Sequence, residues 1–102
     1  MPAYIDEAVR YRILLHGQNL LAELEGSLQY VGFYTTRIVE AGTEAEAESL
    51  AITVIRQDKK LLQMMRNEAD DPPTFSVEEI VEFVDESEAR NTGFVFYLET
   101  TI

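Results

Sequence analysis

The sequence predicts an α+β fold of order ββαββ: a four-stranded, mainly antiparallel sheet with one long helix packed on one face. Three observations predict it. A capped segment with helical spacing follows Gly42, two β-rich runs precede it, and two further extended runs follow Pro72-Pro73. The chain has 102 residues, enough for one domain over 1–102 and too few for two.

The first strand is read over Tyr11 to His16, with Gly17-Gln18-Asn19 as a bend or bulge and Leu20 to Leu24 as its continuation. Glu25-Gly26-Ser27 supplies a turn. Leu28 to Ala41 then forms the second strand, being rich in β-branched and aromatic side chains. The helix follows over about 43–66. Thr43-Glu44-Ala45-Glu46 has the form of a capping box, and Ala47, Leu50, Ala51, Val54, Leu61, Leu62 and Met65 recur at helical spacing. Acids crowd its first turns and bases its last, as the helix dipole favours, and a break is allowed near Gln57-Asp58. Residues 74–84 are read as the third strand, with Phe75, Val77, Val81 and Phe83 on one side. The alternative is a second helix at about 76–90, suggested by the cap-like Ser76-Val77-Glu78-Glu79. Asp85 to Thr92 is then a hairpin loop, and Gly93 to Thr100 the last strand. The connection from the second strand through the helix to the third is expected to be right-handed.

Composition excludes several functions. Without cysteine there is no disulfide, thiolate zinc site, iron–sulfur cluster or cysteine nucleophile, and a single histidine leaves little for an imidazole metal site. No cofactor or metal is therefore expected. No apolar run approaches the ~20 residues of a membrane span, and Met1 to Glu7 lacks the basic start of a signal peptide. The expectation is a soluble, cytoplasmic, bacterial-style protein. The net charge of −11 repels phosphate backbones and argues against nucleic acid. Gly93-Phe94-Val95-Phe96-Tyr97 invites comparison with the aromatic strand of RNA-binding sheets, but Thr92 and Glu99 stand where that motif wants a base and an aromatic. Core and interface aromatics are the better account. Charge is also local: residues 68–88 hold nine acids and no Lys or Arg. That strip makes the third strand an edge and offers a surface to a basic protein partner.

Candidate site residues are the polar outliers on the strands: His16, Tyr34, Thr35, Arg37 and Tyr97. His16 could act as a general base oriented by Glu40 or Glu99. Arg37 could hold a carboxylate or phosphate with help from Thr35, Tyr34 or Tyr97; the structural alternative is an internal pair with a carboxylate. The acids at 68–71 and 85–88 lack the spacing of a calcium loop and read as solvated charge. No nucleophile elbow or phosphate-binding glycine loop is present. On the second strand Val31, Phe33, Thr35, Arg37 and Val39 share one side, while Tyr30, Tyr34, Thr36 and Ile38 share the other. A sheet apolar on both sides with one helix to cover it points to a homodimer that stacks sheets or shares an edge. The functional expectation is a non-catalytic module acting by homodimerisation and by protein or small-ligand binding, with a small enzyme built on His16, Arg37 and Tyr97 as the alternative.

The segment Gly32-Phe33-Tyr34-Thr35-Thr36-Arg37-Ile38-Val39-Glu40-Ala41, followed by an Ala-Glu-rich helix start, resembles a pattern of small uncharacterised bacterial proteins. Its strand-to-helix join is similar to that of ferredoxin-like and other α+β modules. The resemblance implies a small α+β fold and no activity, so no site residue follows from it.

Overall fold

A computed structural model describes residues 8–83 and 92–99. Four strands, β1 (Val9–Leu24), β2 (Ser27–Ala41), β3 (Thr74–Phe83) and β4 (Val95–Leu98), and two helices, α1 (Glu44–Arg56) and α2 (Lys59–Met64), follow one another as ββααββ. The strands form one sheet of order β3-β1-β2-β4, and every neighbouring pair is antiparallel. The α+β reading stands. Residues 74–83 are a strand, so the helical alternative fails over that stretch; its remainder, and residues 85–91 of the loop predicted over Asp85 to Thr92, lie outside the described residues.

β1 and β2 form a long hairpin closed by Glu25 and Gly26, both at positive φ, as two-residue hairpins of the primed type require. The register slips between Gly17 and Leu20, where Asn19 adopts φ 59°, a conformation asparagine tolerates better than most residues. The slip switches the parity of the buried side chains. Tyr11, Ile13 and Leu15 point into the core before it, Leu20 and Ala22 after it.

The helical segment divides where a break was allowed. Thr43 caps α1 by accepting from the Glu46 amide at 3.2 Å, while Glu46 accepts from Gly42 rather than from Thr43. Asp58 caps α2 by accepting from the Leu61 amide at 3.0 Å. The stripe that packs on the sheet is Ala47, Ala51, Ile55 and Leu61. Leu50, Val54 and Leu62, expected on that stripe, are exposed instead. Two alanines one turn apart let the helix backbone approach the sheet, and the line i, i+4, i+8 displaces Leu50 and Val54 to its flank.

The core lies between these helices and one sheet face, centred on Phe33, whose ring meets Phe75, Phe94 and Phe96. A Cβ at Gly17 would overlap the Phe33 ring, so that glycine admits it. A second register slip, against Leu14 and Leu15 of β1, inserts one residue in β3. Phe75, Val77 and Ile80 therefore pack on the core, and Val81, expected beside Val77, is paired with Arg12 on the opposite face. β3 is an edge strand, as its acidity required. Past its end the β1 edge is covered by the segment 65–71. The Arg66 amide donates to the Leu21 carbonyl at 2.7 Å, and Asn67 bonds Leu21 and Asn19 in both directions.

Candidate functional site

With both helices on one face, the other face of the sheet is open among the described residues. Its central row is the cross-strand pair His16 and Tyr34, whose rings stack at 4.4 Å between centroids and 8° between planes. Tyr97 joins them from β4, although β2 separates β4 from β1. Gly32, in register with Tyr97, makes this possible, because a Cβ there would overlap the phenol ring. The ring thus crosses β2 over bare backbone, and its hydroxyl bonds His16 Nε2. On the other side of the imidazole, Glu78 Oε2 lies 3.4 Å from Nδ1. The result is a chain of carboxylate, imidazole and phenol.

A polar hub adjoins it. The Asn19 amide donates to Glu99 at 2.8 Å, and its side chain donates to Asp71 at 2.8 Å. Tyr30, also on the open face, donates its hydroxyl to the other Asp71 oxygen at 2.8 Å. These two donors hold the Asp71 carboxyl below the usual carboxylate range, and the bond to Asp71 is the main cause that raises the Tyr30 phenol. Asp71 is therefore a structural acceptor, not only part of a solvated run. Desolvation, then the neighbouring Tyr34, Glu99 and Glu78, push the Tyr97 phenol up. Gln18, Asn19, Tyr97, Leu98 and Glu99 line a shallow, open hollow beside the rings.

The five residues expected at a site divide between the two faces. His16, Tyr34 and Tyr97 converge on the open face. Thr35 and Arg37 point into the covered face and are buried. Arg37 donates to Thr35 Oγ1 at 2.6 Å, to the Thr36 carbonyl at 3.0 Å and to the Thr92 carbonyl at 2.8 Å. Its other terminal nitrogen reaches Asp58 at 3.3 Å, and the guanidinium lies 5.3 Å from the Phe94 ring centre. Thr35 also meets the carbonyls of Thr92 and Gly93. This network fastens the segment leading into β4, and the internal carboxylate partner expected for Arg37 is Asp58. The convergence of His16, Arg37 and Tyr97 does not occur, because adjacent-parity residues of a strand face opposite ways. The acid beside His16 is also not one of those expected: Glu40 pairs with Arg10 at 3.3 Å and Glu99 with the Asn19 amide, which leaves Glu78 for the imidazole.

Sequence reasoning missed Gly32, Glu78, Asn19 and Asp71. The signal for Gly32 was a glycine in mid-strand, which marks close approach of another group. Among the described residues no three His, Asp or Glu side chains are placed to hold a metal ion, and no helix is long and apolar enough to cross a membrane. Fold and site together define an open-faced α+β sandwich with a histidine–tyrosine cluster at the centre of its uncovered face. No family model, curated protein or solved structure matches the chain.

Proposed function

We propose that the chain is a small non-catalytic module that homodimerises through the open face of its sheet and presents its remaining surface to a protein or small ligand. One observation carries this reading: aromatic and aliphatic side chains cluster at the middle of the face that the described residues leave uncovered. Tyr30, Tyr34 and Tyr97 are each 37% exposed and Val95 is 67% exposed, with Leu14, Leu21, Ile38 and Val81 half-buried among them. Such patches mark association surfaces. Edge-to-edge pairing is the weaker route, since the β3 edge is lined with Glu78, Glu79 and Glu82 and β4 has only four residues.

One feature favours contact over catalysis: a phenol whose pKa is raised stays protonated near neutrality and is a poor nucleophile. Light scattering from micromolar to millimolar protein tests the proposal. A concentration-dependent dimer is expected, reduced to monomer by Tyr34→Glu, which sets a carboxylate in the middle of the face. A wild-type chain that stays monomeric throughout overturns it.

A further inference from the structure

The hollow at the bulge of β1 and the end of β4 is built of groups that share one preference. Gln18, Asn19, Tyr97, Leu98 and Glu99 line it over a volume of about 570 Å³, and among these described residues there is no Lys or Arg. Glu99 is half-buried, with one oxygen accepting from the Asn19 amide and capacity left for further donors. Asn19 gives its side-chain hydrogens to Asp71 and to the Pro72 carbonyl, which leaves its side-chain oxygen as an acceptor. Gln18 is exposed and adds a second amide oxygen. Tyr97 supplies a ring that is 37% exposed, and Leu98 an apolar wall. An aromatic ring, a carboxylate and amide oxygens together suit a flat cation rich in donors.

We propose that this hollow receives an arginine side chain from a basic peptide segment of a protein partner. A guanidinium carries five donors and no acceptor, stacks on aromatic faces and pairs with carboxylates through its fork. Its methylenes rest on Leu98, as long charged side chains do on apolar surface. The chain makes the same arrangement itself on its covered side, where Arg37 lies over Phe94 and against Asp58. A lysine fits less well, because its compact ammonium is strongly hydrated and has no plane to stack. The net charge of −11 draws a basic segment in, and Asp71 beside Asn19 and Glu78 beside His16 add negative potential close by. The inference rests on that part of the reading above in which the chain binds a protein without catalysis. It names the partner's chemistry and does not need the dimer.

Nuclear magnetic resonance titration with acetyl-Gly-Arg-Gly-amide tests this, at about 0.15 M salt, where charges beyond about 8 Å are screened. Saturable binding is expected, with a dissociation constant on the order of 1 mM, the strength one side chain can supply. Glu99→Gln keeps an oxygen for the Asn19 amide and is expected to weaken binding about tenfold. Tyr97→Leu is expected to weaken it about fivefold, whereas Tyr97→Phe keeps the ring and stays within about twofold of wild type. Glu48→Gln removes the same charge from α1, on the other side of the sheet, and is also expected to stay within about twofold. Melting temperatures check that each variant keeps its fold. A peptide that does not saturate overturns the site. So does a Glu48→Gln loss equal to that of Glu99→Gln, or a Tyr97→Phe loss equal to that of Tyr97→Leu. Each of these leaves the homodimer standing, and a monomeric wild-type chain that binds the peptide overturns the homodimer alone.

Discussion

Two glycines, Gly17 on β1 and Gly32 on β2, solve the same steric problem on opposite faces of one sheet. Each lies under an aromatic ring that an added Cβ would overlap: Phe33 over Gly17, Tyr97 over Gly32. Their surroundings differ. Phe33 is fully buried among Phe75, Phe94 and Phe96 beneath the helices, whereas Tyr97 is 37% exposed and lies on the open face. Close approach to backbone thus serves packing on one face and presentation on the other. On the covered face the gap lets a core fill. On the open face it lets a side chain from an edge strand reach across its neighbour and meet a histidine.

The largest effect is expected on the covered face. Phe33→Ala removes the ring at the centre of the core and should cost about 4 kcal/mol. Gly17→Ala, a far smaller change, should still cost about 3 kcal/mol, because the buried ring has nowhere to go. Chemical denaturation measures both, and a loss under 1 kcal/mol for Gly17→Ala would remove the claimed difference between the faces. Gly32→Ala should cost only about 1 kcal/mol, the scale of one cross-strand pair, since Tyr97 can swing into solvent. It should nevertheless free His16 from Tyr97, seen as a change in the imidazole resonances. Unchanged resonances would show that the ring finds another path across β2.

The smallest effect concerns pH. The Asp71 carboxyl is held low by Asn19 and Tyr30, so its contribution to stability is complete above its unfolded value of about 3.9 and is lost as pH falls through its lower folded value. The Tyr30 phenol is raised, so its contribution is present below about 10 and is lost as pH rises through its folded value. Tyr30→Phe should therefore flatten the melting temperature profile at both extremes, by a small amount because the groups are accessible to water. A profile that superimposes on wild type would mean the bond between them adds nothing to the fold.

Much of this architecture was legible in the sequence. Period-two alternation in Leu28 to Ala41 already separates Tyr34 from Thr35 and Arg37, and the structure keeps that separation. The break at Gln57-Asp58 was legible because Asp58 is a good cap; that its second oxygen would hold Arg37 was not, since this needs the return of the chain over β2. Register slips were the main obstacle. The one in β3 moved Val81 to the open face, and nothing in the local sequence marks an extra residue among alternating acids and apolar side chains. The site was half legible for a related reason. His16 and Tyr97 stood out by type, but their meeting depends on strand order and on Gly32, and Glu78 reaches His16 only because β3 pairs with β1 rather than with β4.

The arrangement over Gly32 also has an optical consequence. The chain has no tryptophan and five tyrosines, of which Tyr30, Tyr34 and Tyr97 stand on the open face. Ultraviolet emission is therefore dominated by phenols, and most of those sit on one surface. Two of the three have their hydroxyls bonded, to Asp71 and to His16, contacts that draw on the excited phenol's proton. The protein thus carries an intrinsic, label-free reporter whose intensity follows whatever covers or uncovers that face.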